Sequence, residues 1–285
     1  MHKAEPIATT ARRATPRPGR PLLRHLCCVL LVVVFVHLYQ LYRLVDELFG
    51  PRYLIVAPLV LPPAILLLAL ILARRNRGRT PFKAWVVVSG MALCLAALAV
   101  PDADIAVKRI HVAQYLLLSL AVRHALAVNT RGVELTLAGS LLGGLYGVHD
   151  ELLQGLHPDR TYGLRDILVN FLAASGGSLA WHGLGLFDGS RQPPPPAADS
   201  RLGWVAPLAL AVAVTAMAVP LFACRGQAAL PWWPVLPLAA LLVAGTFETF
   251  GQGRRPCPPC LPLMTVAALF LLYPLAVNVL QIPFY

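Results

Sequence analysis

The stretch HDELLQGLHPDRTYGLRDILVN, residues 149–170, holds eight acidic, basic or histidine side chains, while Leu, Ala, Val and Gly dominate on either side. Groups of these types placed close together can exchange protons, hold an anion or pair with one another. A second polar stretch, PDADIAVKRIHVAQY (101–115), adds Lys108, His111 and Tyr115.

Helical spacing separates the groups that can meet from those that cannot. Gly139, Gly143 and Gly147 recur every four residues, a small-residue stripe that lets a second helix approach closely. Four residues further on, the stripe reaches Glu151, and Gln154 follows at i+3 on the same face. Asp166 and Asn170 are i and i+4, with Ala173 and Gly177 continuing in small residues, while Lys108, His111 and Tyr115 stand at i, i+3 and i+7. Three helices thus each carry a polar stripe, and the stripes are expected to converge, because a carboxylate facing hydrocarbon costs several kcal/mol. Asp150, His157 and Asp159 fall outside this logic and read as solvated bystanders. No pairing of His111, His149 and His157 with the acids has a familiar ligand spacing, so neither metal nor cofactor is expected.

The elements that must position these groups are membrane helices. Hydrophobic residues make up 58% of the chain and charged residues 13%, against about a quarter charged in soluble domains. Apolar stretches near the ~20 residues needed to cross a bilayer fall at about 26–42, 53–73, 84–100, 110–127, 133–153, 166–186, 203–223, 231–247 and 261–280. The expected fold is therefore an all-α polytopic transmembrane bundle of about nine spans. Pro62-Pro63 predicts a kink in the second span, and Pro231, Pro234 and Pro237 crowd the start of the eighth.

With the N-terminus inside, the cytoplasmic segments carry 16 of the 24 Lys and Arg and the outer segments 7, Arg123 lying within a span. The positive-inside rule then gives an N-in, C-out membrane protein with the polar cluster at its outer face. The net charge of +11 is explained by these loops; with no basic and aromatic stripe, nucleic acid is not a partner. Residues 1–24 read as a disordered basic tail, 25–186 as a six-span domain, 187–202 as a Pro-rich cytoplasmic linker and 203–285 as three further spans. Cys27, Cys28 and Cys94 sit in apolar runs as small hydrophobes, and Cys257-Pro-Pro-Cys260 reads as a Pro-stiffened loop.

At these residues the chain resembles the VanZ-like family of bacterial membrane proteins. The family's pattern is Lys-x-x-His-x-x-x-Tyr, Glu-x-x-Gln, Pro-x-Arg, Asp, Asn and then small residues. It matches Lys108, His111 and Tyr115, then Glu151 and Gln154, Pro158 and Arg160, and Asp166, Asn170 and Gly177. Two positions depart: Gly163 stands where the family often has Ser, and Ala173 where it often has Gly. The resemblance covers roughly residues 22–186 and implies that these polar residues act together at the outer face, among cell-wall precursors and lipid head groups. The family takes its name from a protein linked to teicoplanin resistance.

Two functional readings follow. In the first, a pocket binds or processes an anionic amphipathic ligand, a lipid-linked wall precursor or a phospholipid. Lys108 and Arg160 hold the anion, Glu151 or His111 serves as acid or base, Asp166 orients a cation or imidazole, and Tyr115, Gln154 and Asn170 complete the ligand contacts. In the second, the same residues are a buried network in an accessory membrane protein without catalysis. A transporter fits less well, since the acids cluster at one face and no broken-helix pair is evident.

Overall fold

In the computed structural model, residues 19–50, 52–75, 82–101, 106–128, 130–155, 163–187, 202–224, 226–251 and 260–281 are described. They are helical, without a strand among them. The helices are α1 (Gly19–Phe49), α2 (Arg52–Arg75), α3 (Ala84–Ala99), α4 (Ile110–Leu126), α5 (Gly132–Gly155), α6 (Leu164–Gly183), α7 (Leu202–Ala223), α8 (Leu236–Gly251) and α9 (Cys260–Leu280). Each coincides with one of the apolar stretches. α1 extends well beyond its stretch at both ends, from Gly19 to Phe49.

Two helical segments are long and apolar enough to cross a membrane, Leu23–Phe49 and Val56–Arg75. The apolar segments 84–99, 110–126, 208–221 and 233–246 are shorter. Proline is accommodated rather than disruptive. α2 carries Pro58, Pro62 and Pro63 in its interior without a break in the helix. A 3-10 turn at Trp233–Val235 precedes α8, which places Pro237 in the first helical turn, where its missing N–H costs no hydrogen bond.

α6 is the hub, packing against α3, α4 and α5. The Gly stripe of α5 makes one of these contacts possible. A Cβ on Gly139 would lie 2.8 Å from Ser178 Oγ, on Gly143 2.8 Å from Ala174 Cβ, and on Gly147 2.7 Å from Asn170 Cβ. Asn170, Ala174 and Ser178 are spaced four apart, so stripe meets stripe over two turns. The α6 face turned to α5 is thus 170, 174 and 178; Gly177 instead abuts Ser119 of α4. The small residues expected along one face serve two neighbours.

At the opposite end of α4 from Lys108, the buried Arg123 guanidinium donates from Nε to the Leu186 carbonyl (2.7 Å) and from Nη1 to Thr136 Oγ1 (3.3 Å). It ties α4 to α5 and to the turn after α6. The α1 and α2 helices flank α4, while α7, α8 and α9 pack on one another and reach α5 through α7 and α9. Cys28 and Cys94 are buried among apolar side chains, as a small hydrophobe would be; Cys27 is exposed.

Candidate functional site

The three polar stripes converge where the C-terminal end of α5 meets the N-terminal ends of α4 and α6. Lys108, in the 3-10 turn Ala106–Arg109 before α4, donates from Nζ to Asp166 Oδ2 at 2.6 Å. This ion pair spans two depths: the Lys108 side chain keeps 31% of its surface exposed and Asp166 only 4%. The ammonium therefore lies at the rim and the carboxylate behind it.

One turn into α4, His111 Nδ1 lies 3.1 Å from Asn170 Oδ1. The same amide donates from Nδ2 to the Gly147 carbonyl at 3.5 Å. With the amide nitrogen used on a carbonyl, Asn170 offers oxygen to the imidazole, so Nδ1 carries the proton. Asn170 thereby joins α4, α5 and α6 through one side chain, at the level where Gly147 lets α5 and α6 touch.

Tyr115, one further turn along α4, donates its hydroxyl to Asp150 Oδ2 at 3.0 Å and to the Tyr146 carbonyl at 3.2 Å. Its ring is covered on the α1 side by Phe35, centroid to centroid 6.3 Å. Asp150 Oδ2 also lies 4.0 Å from His111 Nδ1. The reading of Asp150 as a solvated bystander is therefore wrong: it is fully buried and joined to two site residues. It stands at i+4 from Tyr146 and i+3 from Gly147, on the side of α5 that faces α4. Its neighbours in sequence hid this, because the polar run HDE resembles the start of a loop although α5 continues to Gly155.

Glu151 is likewise fully buried, and its Oε2 accepts a hydrogen bond from the Gly163 backbone N–H at 3.2 Å. A Cβ on Gly163 would lie 2.8 Å from Asp166 Oδ2. Gly163, the residue that caps α6, is thus held between the two acids. The absence of a side chain there leaves Asp166 in reach of Lys108. Gln154, one turn beyond Glu151, is buried as expected for that face.

Arg160, Pro158, His157 and Asp159 lie outside the described residues, as do the tail 1–18, most of the linker and Cys257. Of the remaining sequence-predicted residues, Lys108, His111, Tyr115, Glu151, Asp166 and Asn170 are brought together by the contacts above. Arg165 is exposed. The expectation of no metal rested on spacing along the chain. Folding brings potential ligand atoms of His111, Asp150 and Glu151 within 4.8 Å of one another, from two helices. Next to Asp150, His149 turns away and meets the Phe270 ring edge-on, 5.4 Å between centroids. This contact docks α9 beside the site.

Comparison with family models, curated proteins and solved structures found no match to this chain. The functional reading rests on the residues themselves.

Proposed function

We propose that the protein is a VanZ-like, multi-pass membrane protein of about nine spans, N-in and C-out in a bacterial inner membrane. Its polar site binds or processes an anionic amphipathic ligand at the outer face, such as a lipid-linked cell-wall precursor or a phospholipid. A link to glycopeptide resistance follows from the resemblance.

The observation that carries the reading is the two-depth arrangement of Lys108 and Asp166. An ammonium held at a rim by a buried carboxylate is pre-oriented toward whatever approaches from outside, and its residual exposure lets a second anion share it. Behind it, His111, Asp150 and Glu151 supply proton-transfer groups. A membrane setting is supported by the outer surfaces of α1 and α2, where Leu30, Leu41, Leu59 and Leu67 are more than half exposed. Lipid covers such faces without cost, whereas water does not. The polar content of α5 and α6 is turned inward against neighbouring helices, as intramembrane polar groups are.

The buried-network reading draws on one observation: Asp150, Glu151 and Asn170 have no exposed surface. The two readings differ in what the cations do. Mass spectrometry of lipids co-purified with the wild type and with Arg160→Ala tests this. The pocket reading expects an anionic lipid class to be depleted in the variant. Identical lipid profiles at equal yield contradict it.

A further inference from the structure

We propose that the rim site selects a lipid phosphodiester whose headgroup carries a free hydroxyl beside the phosphate. Lys108 takes the phosphate and Asp166 Oδ1 accepts from the hydroxyl. This selection rests on the anionic-ligand reading and adds a second half to the recognition.

An acceptor is left over at the start of α6. Asp166 Oδ2 is engaged by Lys108 at 2.6 Å, whereas Oδ1 of the same carboxylate is buried and meets no hydrogen-bond donor among the described residues. A buried carboxylate oxygen without a donor is costly. The helix itself would ordinarily supply one. Asp166 stands three residues after the capping Gly163, the position from which a side chain reaches back to the N–H of the cap. Here that N–H is directed at Glu151 Oε2, 3.2 Å away. Glu151, from α5, thereby takes the donor local to Asp166 and leaves Oδ1 to be satisfied from outside.

The cation beside it is only partly used. An ammonium has three N–H donors, and among the described residues only Asp166 receives one from the Lys108 side chain. With 31% of that side chain exposed, Lys108 has donors left for an anion. The carboxylate lies behind the ammonium, so the hydroxyl gains Oδ1 as Lys108 moves outward onto the phosphate. The carboxylate has room to turn because Gly163 places no Cβ against Oδ2, where one would stand 2.8 Å away.

A ligand that fills both halves must offer acceptor oxygens and a donor in close succession, as a phosphate ester of a polyol does. A neutral hydroxyl suits Oδ1 better than a second cation. Lys108 already balances the carboxylate at 2.6 Å, and a ligand ammonium would lie beside that like charge.

The test compares phosphatidylglycerol, phosphatidylmethanol, phosphatidylethanolamine and phosphatidylcholine of matched acyl chains, by native mass spectrometry of the full-length protein in detergent. The first two are anions of equal charge that differ in the headgroup hydroxyls. Phosphatidylglycerol is expected to bind roughly 10- to 100-fold more tightly than phosphatidylmethanol, and more tightly than phosphatidylethanolamine. In Asp166→Ala the two anions should bind alike; should that variant fail to fold, the wild-type ratio decides. Soluble glycerophosphoglycerol at equal concentration is expected not to displace the lipid. Displacement would overturn the membrane source and assign the same recognition to a water-borne ester. Equal binding of the two anions, tighter binding of phosphatidylethanolamine, or a preference that survives in Asp166→Ala overturns the proposal. If both anions still bind above phosphatidylcholine, the anionic-ligand reading stands without it; if neither does, that reading itself fails.

Discussion

Gly147 of α5 and Asn170 of α6 touch at the one level where the helix packing and the polar site are the same contact. The missing Cβ at 147 leaves room for the Asn170 Cβ, 2.7 Å from where it would stand, and the Gly147 carbonyl accepts from the Asn170 amide. The Tyr115 ring closes the third side at 3.4 Å. Fold and site cannot be altered separately at this point.

Gly147→Ala therefore acts on both. The new methyl meets a Cβ rather than the mobile end of a side chain, so the helices must part or Asn170 must turn. Overpacking of this kind costs about 1–3 kcal/mol, and the Asn170–His111 hydrogen bond is lost with it. Thermal melting in detergent should show the destabilisation. A Gly143→Ala control, directed at Ala174 Cβ from 2.8 Å, should destabilise comparably while leaving the site's ligand binding in the folded fraction intact. Unchanged melting of Gly147→Ala would show that α5 and α6 do not pack as closely as the contact implies.

Tyr115→Phe removes one hydroxyl and nothing else. Its loss withdraws a donor from Asp150 Oδ2, an acceptor on a fully buried carboxylate. Hydrogen bonds to charged groups contribute about 1.5–3 kcal/mol, and the Tyr146 carbonyl, which also receives the hydroxyl, belongs to the backbone of α5. The melting temperature should fall, while helix content measured by circular dichroism stays that of the wild type. A variant as stable as wild type would mean that Tyr115 does not donate to Asp150.

Much of this site was legible in the sequence because helical periodicity survives folding. Gly139, Gly143 and Gly147 predicted a close helix contact, and α6 supplies it with residues of matching spacing. Lys108, His111 and Tyr115 predicted one face of α4, and each of the three bonds to α5 or α6. What spacing could not carry was the relation between helices. Asp150 sits between two helices and takes its role from Tyr115, 35 positions away in the chain. The approach of His111 to Asp150 and Glu151 is of the same kind, so no ligand spacing announced it. Gly163 was legible only as a departure from the VanZ-like pattern; its place between Glu151 and Asp166 depends on how the chain re-enters α6.

On the proposed anionic-ligand reading, the rim ammonium of Lys108 serves a ligand and not the fold. Lys108→Gln keeps a donor for Asp166 and removes the charge. Binding of a labelled anionic phospholipid to the protein in zwitterionic nanodiscs, with the melting temperature read on the same preparation, tests it directly. Binding at least about fivefold weaker, a change of about 1 kcal/mol, with a melting temperature within a few degrees of wild type is the expected result. Unchanged affinity together with a clear fall in melting temperature would contradict it and assign Lys108 and Asp166 to the fold alone.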